Sequence, residues 1–591
     1  MTAFAEAPRP LPPPRRRRPG SLEVIAAGLA PGALAGIQLA GLIFFLNPAL
    51  PFDALAVSRG IAVYGGLAAL AGLLLHLPFT WGRPRRARRW LPWGLTIAFA
   101  LAAALDGTHA SHYAWFLPSG INDRLIRTAL WLALAALITF YTALLHTLHR
   151  RPYGIRSRVG LTLLAIASVY AMLERREAFR PAPPVPGRPA AVETRQRPRL
   201  LVVGLDSATF DALLPLAGQG RLPFLATVLK GGAHGRLETI SPPHRDAIWI
   251  TLATGKYPAA HGVTGTRIYP SPWIFPGSEL TLLPRGIQFS EWGLFGMAPV
   301  TPRVYIRKSL TLWEILPRLG LRSGVVGWPA AAPLDGVATD PEFALSDLFF
   351  SGVPEPGSVR PNDLTERARV FRPSPQELDP ALRARFGADA PQALLEAAAA
   401  DAWRQALTLS LIEEHPDAGA VFVVFPGLRE VSRRSLGGFA AVQFEGSSDP
   451  AFEEAAERIS AYYGMLDDFL AALWTREQGR GPRVLAVVSP AGVEAGGGRW
   501  SWLRQGPEIG ATLDGAADGV LILYGEGIRP DALLTGARLA DLAPTLLYAL
   551  GFPVARDLQG EVLTSAFDRR FLASHPLTFF PSYEALEPTA P

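Results

Sequence analysis

The 591-residue chain contains no cysteine. This excludes disulfides, zinc ribbons, thiol nucleophiles and thiolate-held iron–sulfur clusters, and leaves the redox compartment open. Charge is scarce as well. Asp, Glu, Lys and Arg make up 18% of the residues, against roughly 25% in soluble proteins. Hydrophobic residues reach 49%, and the mean hydropathy is +0.19. That balance excludes a disordered chain and a simple soluble enzyme, and points to a membrane part joined to a water-soluble part. One hydrophobic core serves at most about 250–300 residues, so two or more units are expected. The net charge of +6 fits nucleic acid, anionic lipid or membrane sidedness, and its distribution along the chain decides between them.

Residues 1–21 form a Pro-rich tail with Arg9 and the run Arg15 to Arg18, expected to be disordered. Apolar runs follow at 23–46, 60–81, 90–105, 128–148 and 159–173. A helix rising 1.5 Å per residue needs about 20 such residues to cross ~30 Å of hydrocarbon. Two of the runs are short, so about five spans are expected within 22–174. No small-residue cleavage site closes the first run, and further runs follow it, which argues against a removed signal peptide. The tail arginines fit membrane orientation or anionic lipid better than nucleic acid, because no nucleic-acid motif accompanies them.

Arginine placement gives the sidedness. The tail is basic, the next loop holds only Arg59, and Arg83, Arg85, Arg86, Arg88 and Arg89 follow the second run. Arg124 and Arg127 lie in the third loop, and Arg150, Arg151, Arg156 and Arg158 in the fourth. Basic excess marks the cytoplasmic side, so the N-terminus is expected inside. An odd number of spans then places the remainder outside. Arg175, Arg176 and Arg180 oppose that placement; if the last run does not cross, the remainder is cytoplasmic. Ionisable residues are nearly absent from the runs, His76 and His146 lying near their ends. The helical part is therefore expected to be an anchor or assembly surface without an ion pathway.

Residues 175–198 are rich in Pro and Arg and read as a linker. Beyond them, short apolar runs at 200–205, 324–328, 420–425, 484–489 and 520–524 alternate with helical stretches such as 391–414 and 451–474. This predicts an α/β domain over 199–571, a parallel sheet covered by helices on both faces, followed by a tail at 572–591. Ligands of such sheets bind beyond the carboxyl ends of the strands, where Asp206, residues 425–433 and residues 489–492 fall.

The segments 201–207 (LVVGLDS), 220–223 (GRLP) and 241–255 (SPPHRDAIWITLATG), with His261-Gly262, 312–314 (LWE), 324–329 (GVVGWP), 459–468 (ISAYYGMLDD) and 542–551 (LAPTLLYALG), resemble the type I phosphodiesterase/nucleotide pyrophosphatase family. That family belongs to the alkaline phosphatase superfamily. The resemblance runs from about Leu200 to Leu563 and implies an alkaline-phosphatase-like fold. It also implies a chemistry in which two divalent cations clamp the oxygens of a phosphoester while a Ser or Thr hydroxyl attacks phosphorus. Five spans ahead of such a domain are also similar in layout to bacterial enzymes that transfer phosphoethanolamine or glycerophosphate from lipids.

The sequence departs from the family pattern at most of the chemical positions. Asp206 matches the first metal-binding Asp and is the only residual match. The nucleophile position falls on Arg245. In 425–436 (FPGLREVSRRSL), Arg429 stands for an Asp and Arg433 for a His. In 488–492 (VSPAG), Pro490 and Ala491 replace an Asp-His pair, and a late His position falls near Thr512. Arginine stays charged, so it neither ligates a cation nor attacks phosphorus. Conventional two-metal hydrolysis is not expected, and no cofactor is expected unless a Zn or Mn site has been rebuilt from Asp206 with Asp211, Asp246 or Glu430.

Arg245, Arg429 and Arg433 are candidates for binding an anion, whose planar oxygens guanidinium forks suit. The alternative is that they pair with Asp206 and Glu430 or face water. His244 with Asp246 is a weaker acid–base candidate. His261-Gly262 and the glycines 496–498 read as turn and loop.

The expected function is a membrane-held pseudoenzyme that binds an anionic ligand or a protein partner. The alternatives are an active phosphoester hydrolase or lipid-head-group transferase with an altered site, and a structural subunit of a membrane assembly. Membrane lipids and a phosphate-containing ligand or protein are the expected partners, without nucleic acid.

Overall fold

The computed structural model describes residues 21–80, 84–149, 153–173, 197–265, 267–272, 274–284, 307–332, 334, 341–351, 357–372, 375–495, 511–512 and 517–585. Residues 1–20 of the basic tail, 174–196 of the linker and the glycines 496–498 lie outside them. The chain divides into two units, each discontinuous in sequence. A helical unit takes Met1–Ala114, Ser119–Arg180 and Ile268–Val300; an α/β unit takes Trp115–Pro118, Pro181–Arg267 and Thr301–Pro591.

The helical unit contains α1 (Ser21–Leu46), α2 (Ala54–Gly60), which passes through one π-turn (Ile61–Gly65) into α3 (Gly66–Thr80), then α4 (Pro84–His112), α5 (Ser119–Leu148) and α6 (Ile155–Leu173). Small residues let α1 and the returning helix meet backbone to backbone. A Cβ on Gly32 would lie 2.1 Å from the Ala68 carbonyl oxygen, and one on Gly36 2.2 Å from that of Tyr64. Hydroxyl and amide side chains join other pairs: Thr96 to Thr139 at 3.0 Å and Gln38 to Ser168 at 3.2 Å. Leu130, Trp131, Leu137 and Tyr141 of α5 point outward, an apolar face suited to lipid.

Among the described residues, Ile25–Leu46, Ala54–Pro78, Trp90–His112 and Ser119–Leu148 are long and apolar enough to cross a membrane. The bent pair Phe210–Gly218 and Pro223–Gly231 would make a fifth by composition, but Leu213, Leu216, Leu225 and Val228 of that pair pack into the core of the α/β unit. With α2 and α3 counted as one span, the fifth segment of the helical unit is α6, with 19 residues and with Arg156 and Arg158 in its first turn.

The third run does not stop at Leu105: α4 continues two turns to His112 and carries Asp106 and His109 inside the bundle, 1% and 2% exposed. Asp-Gly at 106–107 does not break the helix, because α5 passes close beside it, with a Cβ on Gly107 falling 3.8 Å from that of Ala129.

Residues 268–284 of the helical unit come from far along the chain. Tyr269–Pro270 pairs antiparallel with Glu279–Leu280, and Phe275 packs edge-on against Phe44. Asn47, buried at the end of α1, accepts from the amides of Thr281 and Leu282 at 2.7 and 3.0 Å and donates to the Leu282 carbonyl at 2.8 Å.

The α/β unit holds one mixed sheet: β1 (Arg199–Leu205), β2 (Ala233–Glu238), β3 (Ser323–Trp328), β4 (Phe343–Ser346), β5 (Val359–Arg360), β6 (Ala420–Phe425), β7 (Arg483–Ser489), β8 (Gly519–Gly525), β9 (Ala532–Leu533) and β10 (Ala537–Arg538). Their order is β9-β2-β8-β7-β1-β6-β3-β4-β5, with β10 also on β2. Strands β7, β1, β6, β3 and β4 run parallel. Strand β8 runs antiparallel to both β7 and β2, so the expected parallel sheet is mostly rather than wholly parallel. The central strands are buried throughout, as sheets covered on both faces require. The fold is alkaline-phosphatase-like, preceded by long apolar helices.

Past residue 571 the described chain remains packed. Phe579–Phe580 pairs with Val554–Ala555, and Glu584 accepts from the buried Lys256 ammonium at 3.0 Å, beside Asp557 at 2.7 Å.

Candidate functional site

Four elements deliver charged side chains to the carboxyl ends of the central parallel strands. β1 ends at Leu205, and the next amide, that of Asp206, bonds the Phe425 carbonyl of β6. Helix Arg245–Thr254 lies directly on β1: Gly204 has no Cβ, and one there would strike the Trp249 ring at 2.5 Å. Its first residue, Arg245, is thereby placed beside Asp206. β4 ends at Ser346, and Asp347 follows as the first residue of helix Asp347–Phe350. Helix Gln392–Glu414 contributes the buried Asp401 and Arg404.

These groups form one network. Arg245 Nε donates to Asp206 Oδ2 at 2.9 Å, and its Nη1 lies 3.8 Å from Asp246 and 4.0 Å from Asp347. Asp401 accepts from the Tyr462 hydroxyl at 2.8 Å and from the Gly427 amide at 3.0 Å, and pairs with Arg404 at 3.5 Å. Burial works against the charge on Arg245, but Asp206, Asp246 and Asp347 more than offset it, so its pKa moves up. Burial also raises Asp347 to about 6, against the pull of Arg245 and Arg404. It raises Asp401 to about 6, against Arg404, Tyr462 and the Gly427 amide. The network reads as a guanidinium seated where carboxylates converge, a charge-assisted arrangement in a low-dielectric pocket.

The other candidates fall elsewhere. Arg433 is half exposed on helix Gly427–Glu445 and forks onto Glu430 of its own helix at 2.9 and 3.0 Å; Arg434 also reaches Glu430. Glu430 is partly buried, yet these two arginines hold its pKa below the usual range. Arg429, in the first turn of that helix, is partly buried; its amide bonds the Pro426 carbonyl, and its guanidinium has no hydrogen-bond or ion-pair partner among the described residues. Arg245 and Arg433 are thus held by Asp206 and Glu430, the pairing that stood as the alternative to a shared anion. Asp211 pairs with Arg236 at 3.1 Å on the surface.

His244 spends Nδ1 on the Thr264 carbonyl at 2.6 Å, and burial lowers its pKa. His261 is fully enclosed: Nδ1 accepts from the Val263 amide and Nε2 meets the Thr251 hydroxyl, each at 3.1 Å. Burial pushes it down to about 3, so it is a neutral structural group.

The residues present do not fit a two-metal site. A guanidinium lies against the one matching ligand, arginines stand at two further ligand positions, and no group of three or more His, Asp or Glu among the described residues could hold a metal ion. Pro490 and Ala491 close the end of β7; of the loop beyond, Thr512 is described only as one end of a two-residue strand paired with Glu494–Ala495.

Asp347, Asp401, Arg404 and Tyr462 join the site without belonging to any candidate motif of the sequence. The run 343–347 (FALSD) carries a usable signal, an acid at the carboxyl end of a short apolar strand. Asp401 and Arg404 stand one helical turn apart in an Ala-rich helix, where an isolated charge pair is itself conspicuous.

Residues 200–484 match the family model for type I phosphodiesterase/nucleotide pyrophosphatase; the chain carries a domain of that family behind its apolar helices. No curated protein matches significantly. Among solved structures, murine ectonucleotide pyrophosphatase/phosphodiesterase 5 is similar at 11% identity over 60% of this chain and 95% of its own, with a TM-score of 0.36. A phosphonate monoester hydrolase from Silicibacter pomeroyi is similar at 15% identity over 62% and 76%, with a TM-score of 0.34. A mutant of the alkaline phosphatase PafA is similar at 13% identity over 63% and 100%, with a TM-score of 0.37.

Proposed function

We propose that this chain is a membrane-anchored, non-catalytic phosphodiesterase-like protein whose α/β domain binds an anionic ligand or a protein partner. The observation that carries the reading is the Arg245–Asp206 ion pair at 2.9 Å. A charged guanidinium occupies the position from which a hydroxyl would attack, and it consumes the one carboxylate that would hold a metal. Anion recognition falls to Arg429, whose guanidinium is uncommitted among the described residues. The network of six charged groups that includes Arg245 holds four carboxylates and two guanidiniums, an excess of negative charge that disfavours phosphate between them.

In this reading the apolar helices sit in membrane lipid with the N-terminus cytoplasmic. If α6 crosses as a fifth span, the α/β domain lies outside. A cysteine introduced at a surface site of the α/β unit, probed with an impermeant thiol reagent on intact cells, decides this; the cysteine-free background makes such labelling unambiguous.

The functional test uses the full chain in detergent, incubated with Zn²⁺ or Mn²⁺, desalted, and assayed for metal content and for hydrolysis of bis(p-nitrophenyl) phosphate. Fewer than about 0.1 metal ions per chain and no turnover are expected, since metal affinity needs converging deprotonated ligands. One or two metals per chain with turnover would overturn the reading. Calorimetry with inorganic phosphate and AMP, repeated on Arg429→Ala, tests the anion; binding that Arg429→Ala leaves unchanged removes Arg429 from that role.

A further inference from the structure

The helical unit contains an ionisable group that an anchor does not need. Asp106 lies within the span Trp90–His112, is 1% exposed, and has its Oδ2 enclosed without a hydrogen-bond partner. Among the described residues no Arg, Lys or His forms an ion pair with it. It stands six residues before the end of α4. One turn on, His109 has its Nδ1 2.6 Å from the Leu105 carbonyl. The carbonyl can only accept, so Nδ1 carries the hydrogen of this contact. The stripe continues to Tyr113, whose hydroxyl donates to the Leu283 carbonyl at 2.9 Å. The segment that Asn47 holds thus covers the end of the stripe.

Unpaired ionisable side chains inside a span are costly and are kept where they act on an ion or a ligand. A carboxylate is an acceptor only, so its complement is a positive group or a strong donor.

We propose that Asp106, assisted by His109, is a cation-binding site inside the helical unit. The occupant is a monovalent inorganic ion or the ammonium of a lipid head group, which share the single positive charge that Asp106 lacks. This inference is independent of the reading of the α/β domain.

The test uses the full chain and dicyclohexylcarbodiimide. The acid O–H of a carboxyl in an apolar setting adds across a C=N bond of this reagent, and an acyl shift then gives a stable N-acylurea with no leaving group. In lipid-free micelles buffered with a bulky organic cation, mass spectrometry should place the label on Asp106, and Asp106→Asn should lose it. At about ten times its dissociation constant an occupant should slow labelling about tenfold, since only unoccupied sites react. Slowing by Na⁺ or K⁺ in micelles identifies an inorganic ion. Slowing in nanodiscs of phosphatidylethanolamine but not phosphatidylglycerol identifies a lipid amine. Labelling that no cation or amine lipid slows would show a merely protonated acid and overturn the proposal. So would absent labelling together with a melting temperature that responds to cations identically in the wild type and Asp106→Asn.

Discussion

Arg245 donates through Nε to Asp206 at 2.9 Å, at the end of the first strand of the sheet. The side chain of Arg245 is 21% exposed and that of Asp206 7%, so the pair is well shielded and its charges depend on each other. Removing one partner of such a pair leaves an uncompensated buried charge, which costs about 3–5 kcal/mol in enclosed sites. The residual exposure of Arg245 brings the expected cost of Arg245→Ala to the lower end of that range. The α/β unit should unfold at clearly lower denaturant, and Arg245→Lys should recover part of the loss. In Arg245→Ala, Asp206, Asp246 and Asp347 are left without their common counter-charge, so added Mn²⁺ or Ca²⁺ should raise the melting temperature of the variant and leave the wild type unmoved. A variant as stable as the wild type would show that the pair is incidental.

Asp347 and Asp401 fix the sign of a pH effect. Burial raises both to about 6, above the value near 3.9 of an exposed Asp. Between those limits the folded protein binds more protons than the unfolded chain, so stability falls as pH rises through the window and is regained on acidification. Between pH 7.5 and pH 5 the α/β unit should therefore gain stability from these two groups. Asp401→Asn and Asp347→Asn should each flatten the profile of melting temperature against pH. A wild-type profile that both variants reproduce unchanged would place the titration elsewhere.

How far the sequence discloses this depends on the element. The apolar runs at 200–205, 324–328, 420–425 and 484–489 coincide with strands because every position in them is buried, and a continuous β-branched run has few other uses. Strand β2 (AHGRLE) escapes notice because it buries alternate residues at the edge side of the sheet. β4 escapes because four residues make too short a run. Direction is also invisible: 519–525 is as apolar as its parallel neighbours, and only its contacts make it antiparallel. Asp206 is legible from its strand end, but the partnership with Arg245 needs the helix to be seated against Gly204. Asp106 is hidden by the opposite error. An Asp-Gly step looks like a helix end, and packing against α5 carries the helix through it.

Asn47 makes a local prediction in the helical unit. Its side chain satisfies the amides of Thr281 and Leu282 and the carbonyls of Ile43 and Leu282. Asn47→Ala would leave buried backbone groups unmade, at about 1–3 kcal/mol each. Hydrogen exchange at residues 281 and 282 should accelerate by one or more orders of magnitude, while amides in the middle of α5 keep their protection. Equal exchange in both proteins would show that 268–284 is held by the Phe275–Phe44 contact rather than by Asn47.

Lys256 makes the corresponding prediction at the C-terminal end. Its ammonium is nearly enclosed and bonds Asp557 at 2.7 Å and Glu584 at 3.0 Å, while Glu584 also accepts from the Leu310 amide at 3.0 Å. Lys256→Met keeps the length and the apolar stem but leaves two carboxylates facing each other, so the segment around Tyr583 should detach at modest energetic cost. Limited proteolysis should then cleave between 576 and 585 in the variant and spare the wild type. Because the segment joins the fold through Phe579–Phe580 as well, Lys256→Met combined with Phe580→Ala should be cleaved faster than either single variant. A segment that resists protease in the double variant would be held by contacts other than these.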